Sequence, residues 1–344
     1  MQLSDLDYQF PENLIATEPV AESRVLFNRD GHNSEGSLED LINEFQAGDV
    51  LVLNDSKVVK KRVFAKHITL NSEKDIEILF LDPQEQNRWQ VLFPASRVKD
   101  NHKLLLPGGI EAKISKRGKP QELTLSQAID FGYFAENGEL PLPPYIQKAR
   151  EDRHEKVEDD QWYQTAWAEK EGSAAAPTAS LHFKEKHLKA LEEKGVEILK
   201  LTLHVGLGTF LPVSSENLLE HEMHKEWIEI PKSTLEKIEK AKASGNKVFA
   251  LGTTVTRSLE SYTAGLLEEK DLSFVGASDL FIYPPYQYKM VDVLLTNFHQ
   301  PKTTLMALVA AFTSLDNIKA AYSYAVENEF RLFSYGDLSV WMKK

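Results

Sequence analysis

The most constraining feature of this chain is a change of rhythm. Between Arg62 and about Leu125, six short strand-like runs follow one another: RVFAKHITL, DIEILFL, RWQVLF, KLLLP, IEAKIS and QELTL. Asp82-Pro83, Pro107-Gly108-Gly109 and Arg117-Gly118-Lys119-Pro120 separate them, and no helical pattern intervenes. Consecutive short strands divided by turn residues predict a small closed barrel or sandwich. On both sides of this stretch, strand-like and helical runs alternate, the pattern of a layered α/β sheet. The simplest chain that satisfies both is one α/β domain, residues 1–59 plus 151–344, with an all-β barrel domain, residues 60–150, inserted into it.

The flanking runs fill in the larger domain. SLEDLINEFQ (37–46) predicts a helix with Ser37 as N-cap and Leu38, Leu41, Ile42 and Phe45 on one face. DVLVLND (49–55) reads as a buried strand. LPLPPYI (140–146) cannot be a helix interior, and 148–160 reads as a charged connector. Further helices are expected at 181–195, 233–244, 254–265, 302–313 and 317–328. Strands are expected at 196–205, 247–252 and 279–283, the last being DLFIY.

Composition narrows the class. Hydrophobic residues make up 42% and charged residues 27% of the 344 residues, as in ordinary globular domains. No apolar run approaches the roughly 20 residues that span a bilayer, and MQLSDLDYQFPENL has no secretory pattern. With no cysteine, disulfides, thiolate catalysis and Cys-type metal sites are excluded. A cytoplasmic location fits. The net charge of −12 is unevenly spread: residues 56–120 carry 14 Lys/Arg against 7 Asp/Glu, leaving 26 against 45 elsewhere. That asymmetry suggests either a basic footprint for a polyanion or a lysine-rich solvated surface.

Five runs between Gly172 and Leu305 concentrate the polar chemistry: GSAAAPTASLHF, LHVGLGTF, LGTTVTRSLES, DLFIYPPY and LLTNFHQPKTTL. Strand ends deliver reactive side chains in this way. His182, His204 and His299 each sit at an element end beside turn residues, so they are candidates for one site or satisfied structural histidines. Gly206-Leu207-Gly208 lacks the third glycine and helix of a dinucleotide loop. It suits a sharp reversal or a close approach to a ligand. Gly252-Thr253-Thr254 opens a helix whose amides favour an anion, with Arg257 as a fixed cation. The alternative is an ordinary cap, with Arg257 paired to an acid such as Glu260. Glu220-His221-Glu222-Met223-His224 lacks metal-site spacing, so no metal is expected. Tyr283-Pro284-Pro285-Tyr286, with Trp162, Tyr163 and Trp167, offers surfaces for stacking or for core packing.

Together with GDVLVLNDSKVVKKRVF, LPLPPYI, EHEMHKEWIEI and LFSYGDLSV, these runs identify a family. Over nearly its whole length the chain resembles the S-adenosylmethionine:tRNA ribosyltransferase-isomerases of queuosine synthesis. The resemblance implies a larger α/β domain carrying a small β-barrel, with S-adenosylmethionine as co-substrate and no metal. It implies transfer and isomerisation of the ribosyl group onto the 7-aminomethyl-7-deazaguanine at the wobble position of tRNA. The product is the epoxide precursor of queuosine, and adenine and methionine leave. No membrane or obligate protein partner is implied, and a monomer is expected.

The resemblance implies only that the motifs belong to the site; roles follow from residue type and position. His182 or His204, then His299, would remove the ribose proton acidified by the sulfonium. Asp279 and Asp337 are candidates to assist adenine departure. Thr253, Thr254 and Arg257 would take the methionine carboxylate, with Thr178, Gly206, Gly208 and Tyr286 in the same cofactor site. Asp55, Lys60, Lys61 and Arg62 would contact base or phosphate. The chain departs from the family pattern at Ser180 (usually Gly), Leu211 (often Arg), Thr254-Val255-Thr256-Arg257 (usually Thr-Ser-Val-Arg) and Pro285 (usually Gly). The 17–25 segment also lacks the fuller arginine-containing run usually found before Ser23-Arg24. A transferase with another acceptor and a non-catalytic RNA-binding relative are the competing readings.

Overall fold

Val50–Asn54 is buried at every position because it lies inside a sheet covered on both faces. The computed structural model describes residues 1–342 except 70–71, 101, 207, 209–212 and 214. It resolves into two units: Met1–Lys57, Pro144–Asp152 and Gln161–Lys344 form one, and Val58–Pro143 with Arg153–Asp160 form the other.

The larger unit is built on a ten-stranded mixed sheet. In spatial order its strands are Glu268–Lys270, Ser273–Ser278, Glu226–Pro231, Glu197–His204, Val50–Asn54, Val248–Leu251, Val293–Asn297, Leu338–Met342, Arg24–Arg29 and His32–Ser37. The strands from Glu197–His204 to Val293–Asn297 run parallel. Leu338–Met342 is antiparallel to Val293–Asn297 and parallel to Arg24–Arg29. Alternation along Val50–Asn54 feeds two cores. Val50 and Val52 join Leu201, Ala250, Val255 and Leu259. Leu51 and Leu53 join Phe45, Phe183, Leu191 and Phe249, with Phe45 stacked on Phe249 at 3.8 Å between centroids.

Side-chain caps open several helices, Ser37 as expected. Ser37 accepts from the Asp40 amide ahead of Leu38–Glu44. Thr303 and Ser314 do the same for Thr304–Phe312 and Leu315–Glu327. Two expectations fail. Residues 279–283 are not a strand: the sheet partner of Glu226–Pro231 is the preceding segment, Ser273–Ser278. Part of the expected connector at 148–160 is also helical, because Pro144 stands at the first position of Pro144–Arg150, where its missing N–H costs nothing.

The smaller unit is a closed antiparallel barrel in the order Gln121–Leu125, Arg88–Leu92, Ser72–Gln84, Arg62–His67, Lys103–Leu106, Ile110–Lys116. Val63, Ile78, Phe80, Trp89, Val91, Leu104 and Leu123 fill it. Phe134, from the helix Phe131–Asn137, packs edge-on to Phe80 and Trp89. As a unit the barrel is not basic. It carries 15 Lys/Arg and 15 Asp/Glu, because acids at 121–143 and 153–160 offset the cations of 60–119.

Candidate active site

The run PTASLH folds as a 3-10 turn, Thr178–His182, which brings His182 against Val293–Asn297. Asn297 receives the Thr178 hydroxyl on Oδ1 at 2.9 Å. Its Nδ2 lies 3.4 Å from the Gly336 carbonyl and 3.0 Å from His182 Nε2. A carbonyl only accepts, so Nδ2 is the amide nitrogen and donates to both groups. His182 therefore carries its proton on Nδ1 and donates it to Ser23 Oγ at 2.6 Å. Burial, reinforced by Arg331, lowers the imidazole pKa to about 4. His182 is thus a neutral ring with both nitrogens engaged, one of them by a serine that sequence reasoning did not single out.

His204 ends the strand Glu197–His204. Gly172, with φ +149°, lies so close that a Cβ there would sit 3.0 Å from the ring, so this glycine makes room for the imidazole. Glu229 is near enough for His204 to help lower its pKa, behind the larger effect of Lys170, which donates to Glu229 at 2.8 Å. His299 is held differently. Its amide donates to Tyr322 Oη at 2.8 Å, its carbonyl accepts from Tyr8, and Nε2 meets Thr296 Oγ1 at 3.0 Å. Burial lowers its pKa to about 3. These bonds fix both its backbone and its ring.

Gly252, with φ +99°, opens the helix Thr253–Thr263 without a side-chain cap, and Thr254 Oγ1 lacks a hydrogen-bond partner among the described residues. Arg257 does not complete a cationic clamp there. It is buried and ion-paired with Glu226, which also accepts from the Gly206 amide at 3.1 Å. The partner acid is thus Glu226, not Glu260. Glu260, fully buried, receives Tyr286 Oη at 3.1 Å and the amides of Lys289 and Met290 at 2.9–3.0 Å. The Tyr286 hydroxyl pKa is raised by burial and then by Glu260. Beside Gly206 and Gly208 an added Cβ would meet nothing closer than 3.5 Å among the described residues.

The remaining candidates are dispersed. Asp337 is buried and accepts the backbone amides of Arg24 at 3.1 Å and Arg331 at 2.8 Å, which ties chain segments together; burial raises its pKa. Asp279 is exposed. Asp55 accepts from Thr202 Oγ1 at 2.6 Å, and burial raises its pKa. In the barrel unit, Lys60 pairs with Glu155 and Asp160 at 2.8 and 2.6 Å. Buried Lys61 donates to the Leu81 carbonyl at 3.1 Å, and Arg62, 2% exposed, pairs with Glu139 at 2.9 Å. None of these three cations stands open to a phosphate, because the barrel's own acids and carbonyls engage them. Ser180 has no positive φ, so the backbone accepts a side chain where the family usually has glycine. Leu211 lies outside the described residues. Among the described residues no three His, Asp or Glu side chains converge as metal ligands, and no helix is long and apolar enough to cross a membrane.

Comparison with known proteins agrees with this architecture. The family model described as "Queuosine biosynthesis protein" matches residues 3–340. S-adenosylmethionine:tRNA ribosyltransferase-isomerases from Sulfurihydrogenibium sp. and Halothermothrix orenii are 42% and 41% identical, with 98% of each chain covered in both cases. The crystal structure of S-adenosylmethionine tRNA ribosyltransferase from Thermotoga maritima is 30% identical and superposes with a TM-score of 0.55, over 98% of this chain and 99% of that one. A sheet with an inserted barrel, matched from end to end by such relatives, leads to one conclusion: this chain belongs to the family of queuosine biosynthesis proteins.

Proposed function

We propose that the chain is a transferase that moves and isomerises the ribosyl group of S-adenosylmethionine onto the 7-aminomethyl-7-deazaguanine of tRNA, giving epoxyqueuosine-tRNA, adenine and methionine. The observation that carries this reading is the match over 98% of both chains with proteins named for the reaction. We further propose a cytoplasmic monomer.

In this reading the sulfonium withdraws electrons from the adjacent ribose carbon, and a neutral imidazole removes its proton. His204 suits that role better than His182, whose Nε2 lone pair already accepts from Asn297. Glu229 lies where its carboxylate would stabilise the imidazolium. The start of Thr253–Thr263 offers backbone donors to an anionic part of the co-substrate.

The test is incubation with S-adenosylmethionine and tRNA carrying the aminomethyl base. Adenine release with a matching mass gain on that tRNA supports the proposal. Adenine release only with a different acceptor, or RNA binding without adenine release, would overturn it. His204→Ala should lower kcat by about 10²–10⁴-fold with little effect on S-adenosylmethionine affinity; unchanged turnover would remove His204 as the base. EDTA should leave turnover unaltered, since the sulfonium supplies the activation that a Lewis acid otherwise would.

A further inference from the structure

Of the chain's five tryptophans only Trp227 is exposed, at 46%. Its neighbours on the strand Glu226–Pro231 fix the direction in which it points. Glu226 pairs with Arg257 on the helix Thr253–Thr263, and Ile228 joins Val255 and Leu259 in the core. Side chains alternate along a strand, so Trp227 projects from the opposite face of the sheet. In register it stands opposite His204 on one side and Ala277 on the other. Directly opposed side chains of an antiparallel pair share a face, with Cβ atoms about 5 Å apart. The indole is therefore beside the imidazole, and the small, exposed Ala277 leaves its other flank open. Among the described residues the indole makes no hydrogen bond and no ring contact. A large flat ring held on a rigid strand, open to solvent and next to a reactive group, is a platform for stacking rather than a core side chain.

We infer that Trp227 is the surface on which the 7-aminomethyl-7-deazaguanine of the acceptor tRNA stacks, so that its amine is presented to the ribose beside His204. The inference rests on the function proposed above and adds a binding residue for the second substrate. The reaction involves a second flat base, the adenine of the co-substrate, and the two faces of the sheet separate them. The backbone donors assigned to the co-substrate open Thr253–Thr263, which lies on the Glu226 and Ile228 face. Trp227 lies on the other face, so a base that reaches it approaches the strand ends from the opposite side. Access agrees with this division. A small co-substrate can be enclosed, whereas a base carried by a tRNA has to be laid on a surface open to solvent. Charge agrees as well: the aminomethyl group is a cation near neutral pH, which an indole face attracts, and adenine is uncharged.

Two affinities test the platform: that for tRNA carrying the aminomethyl base, by fluorescence anisotropy of the labelled tRNA, and that for S-adenosylmethionine, by calorimetry. Trp227→Ala should raise Kd for this tRNA by about tenfold or more. The salt slope of that affinity should stay the same, because no phosphate contact is lost, and Kd for S-adenosylmethionine should match the parent. Trp227→Phe should recover most of the tRNA affinity. Trp227→Leu, which keeps apolar bulk without a π face, should not. A raised Kd for S-adenosylmethionine at constant tRNA affinity assigns the platform to adenine and overturns the inference. Unchanged tRNA affinity in Trp227→Ala, or equal recovery by Phe and Leu, overturns it too. So does a large fall in Tm in all three variants, which would make Trp227 a core residue. Adenine release is read separately: its absence in the parent with this tRNA and S-adenosylmethionine overturns the proposed function, whereas the affinities of the variants judge Trp227 alone.

Discussion

Arg257 is 8% exposed and Glu226 6%, so neither charge has water to fall back on. Removing one partner strands the other, at a cost of about 3–5 kcal/mol. Glu226→Ala should therefore lower Tm by roughly 10 °C and release the Gly206 amide as well; an unchanged melting temperature would refute the pairing. His182 and His299 set a pH dependence. Both stay neutral in the fold down to pKa values of about 4 and about 3, whereas the unfolded chain protonates them near 6.5. Between those values the unfolded state binds more protons, so their contribution is complete above pH about 6.5 and fades as pH falls toward 4 and below. Urea titrations at pH 7.5 and 5 should show that loss, and His299→Gln should lose less on acidification than the parent. The sequence marked all three histidines but could not rank them. The ranking depends on Asn297, 115 residues away from His182, and on Tyr8, 291 residues away from His299. Such partners are set by topology and leave no local pattern.

At the scale of elements, period and punctuation were readable where burial is regular. Val50–Asn54 comes directly from a continuous apolar run, the six barrel strands from short runs divided by turn residues, and Leu38–Glu44 from its Ser37 cap. Ser273–Ser278 escaped because it is half-exposed along most of its length and has no clean alternation. DLFIY, more apolar, looked like the strand instead. Its neighbourhood is organised by a buried carboxylate: Glu260 gathers Tyr286 and the amides of Lys289 and Met290 around one helix position. Glu260→Gln replaces one charged acceptor oxygen by a donor NH2 and should speed amide exchange at 289–291 by about tenfold while leaving Thr304–Phe312 unaffected. Uniform exchange rates in the two proteins would show that the loop is held by other contacts.

For the whole molecule, each unit has its own apolar interior, with the two sheet cores in one and the barrel core in the other. Calorimetry should give a van't Hoff enthalpy below the calorimetric one, because two cores need not melt as one. The charge asymmetry in the sequence was real along residues 56–120, but chain folding cancels it within the barrel unit. Exposed Lys113 and Lys119, without ion pairs among the described residues, are then better probes of a tRNA footprint than Lys60, Lys61 and Arg62. Changing both to Gln should reduce the salt slope of tRNA affinity by about two, and an unaltered slope would place the footprint elsewhere. The strand Leu338–Met342 lies between Val293–Asn297 and Arg24–Arg29. On a ribosome, the hairpin made near residue 30 must therefore wait through some three hundred further residues for its neighbour. Until then two sheet edges stay open, which makes the nascent chain, rather than the finished enzyme, the form most exposed to aggregation and most dependent on a chaperone.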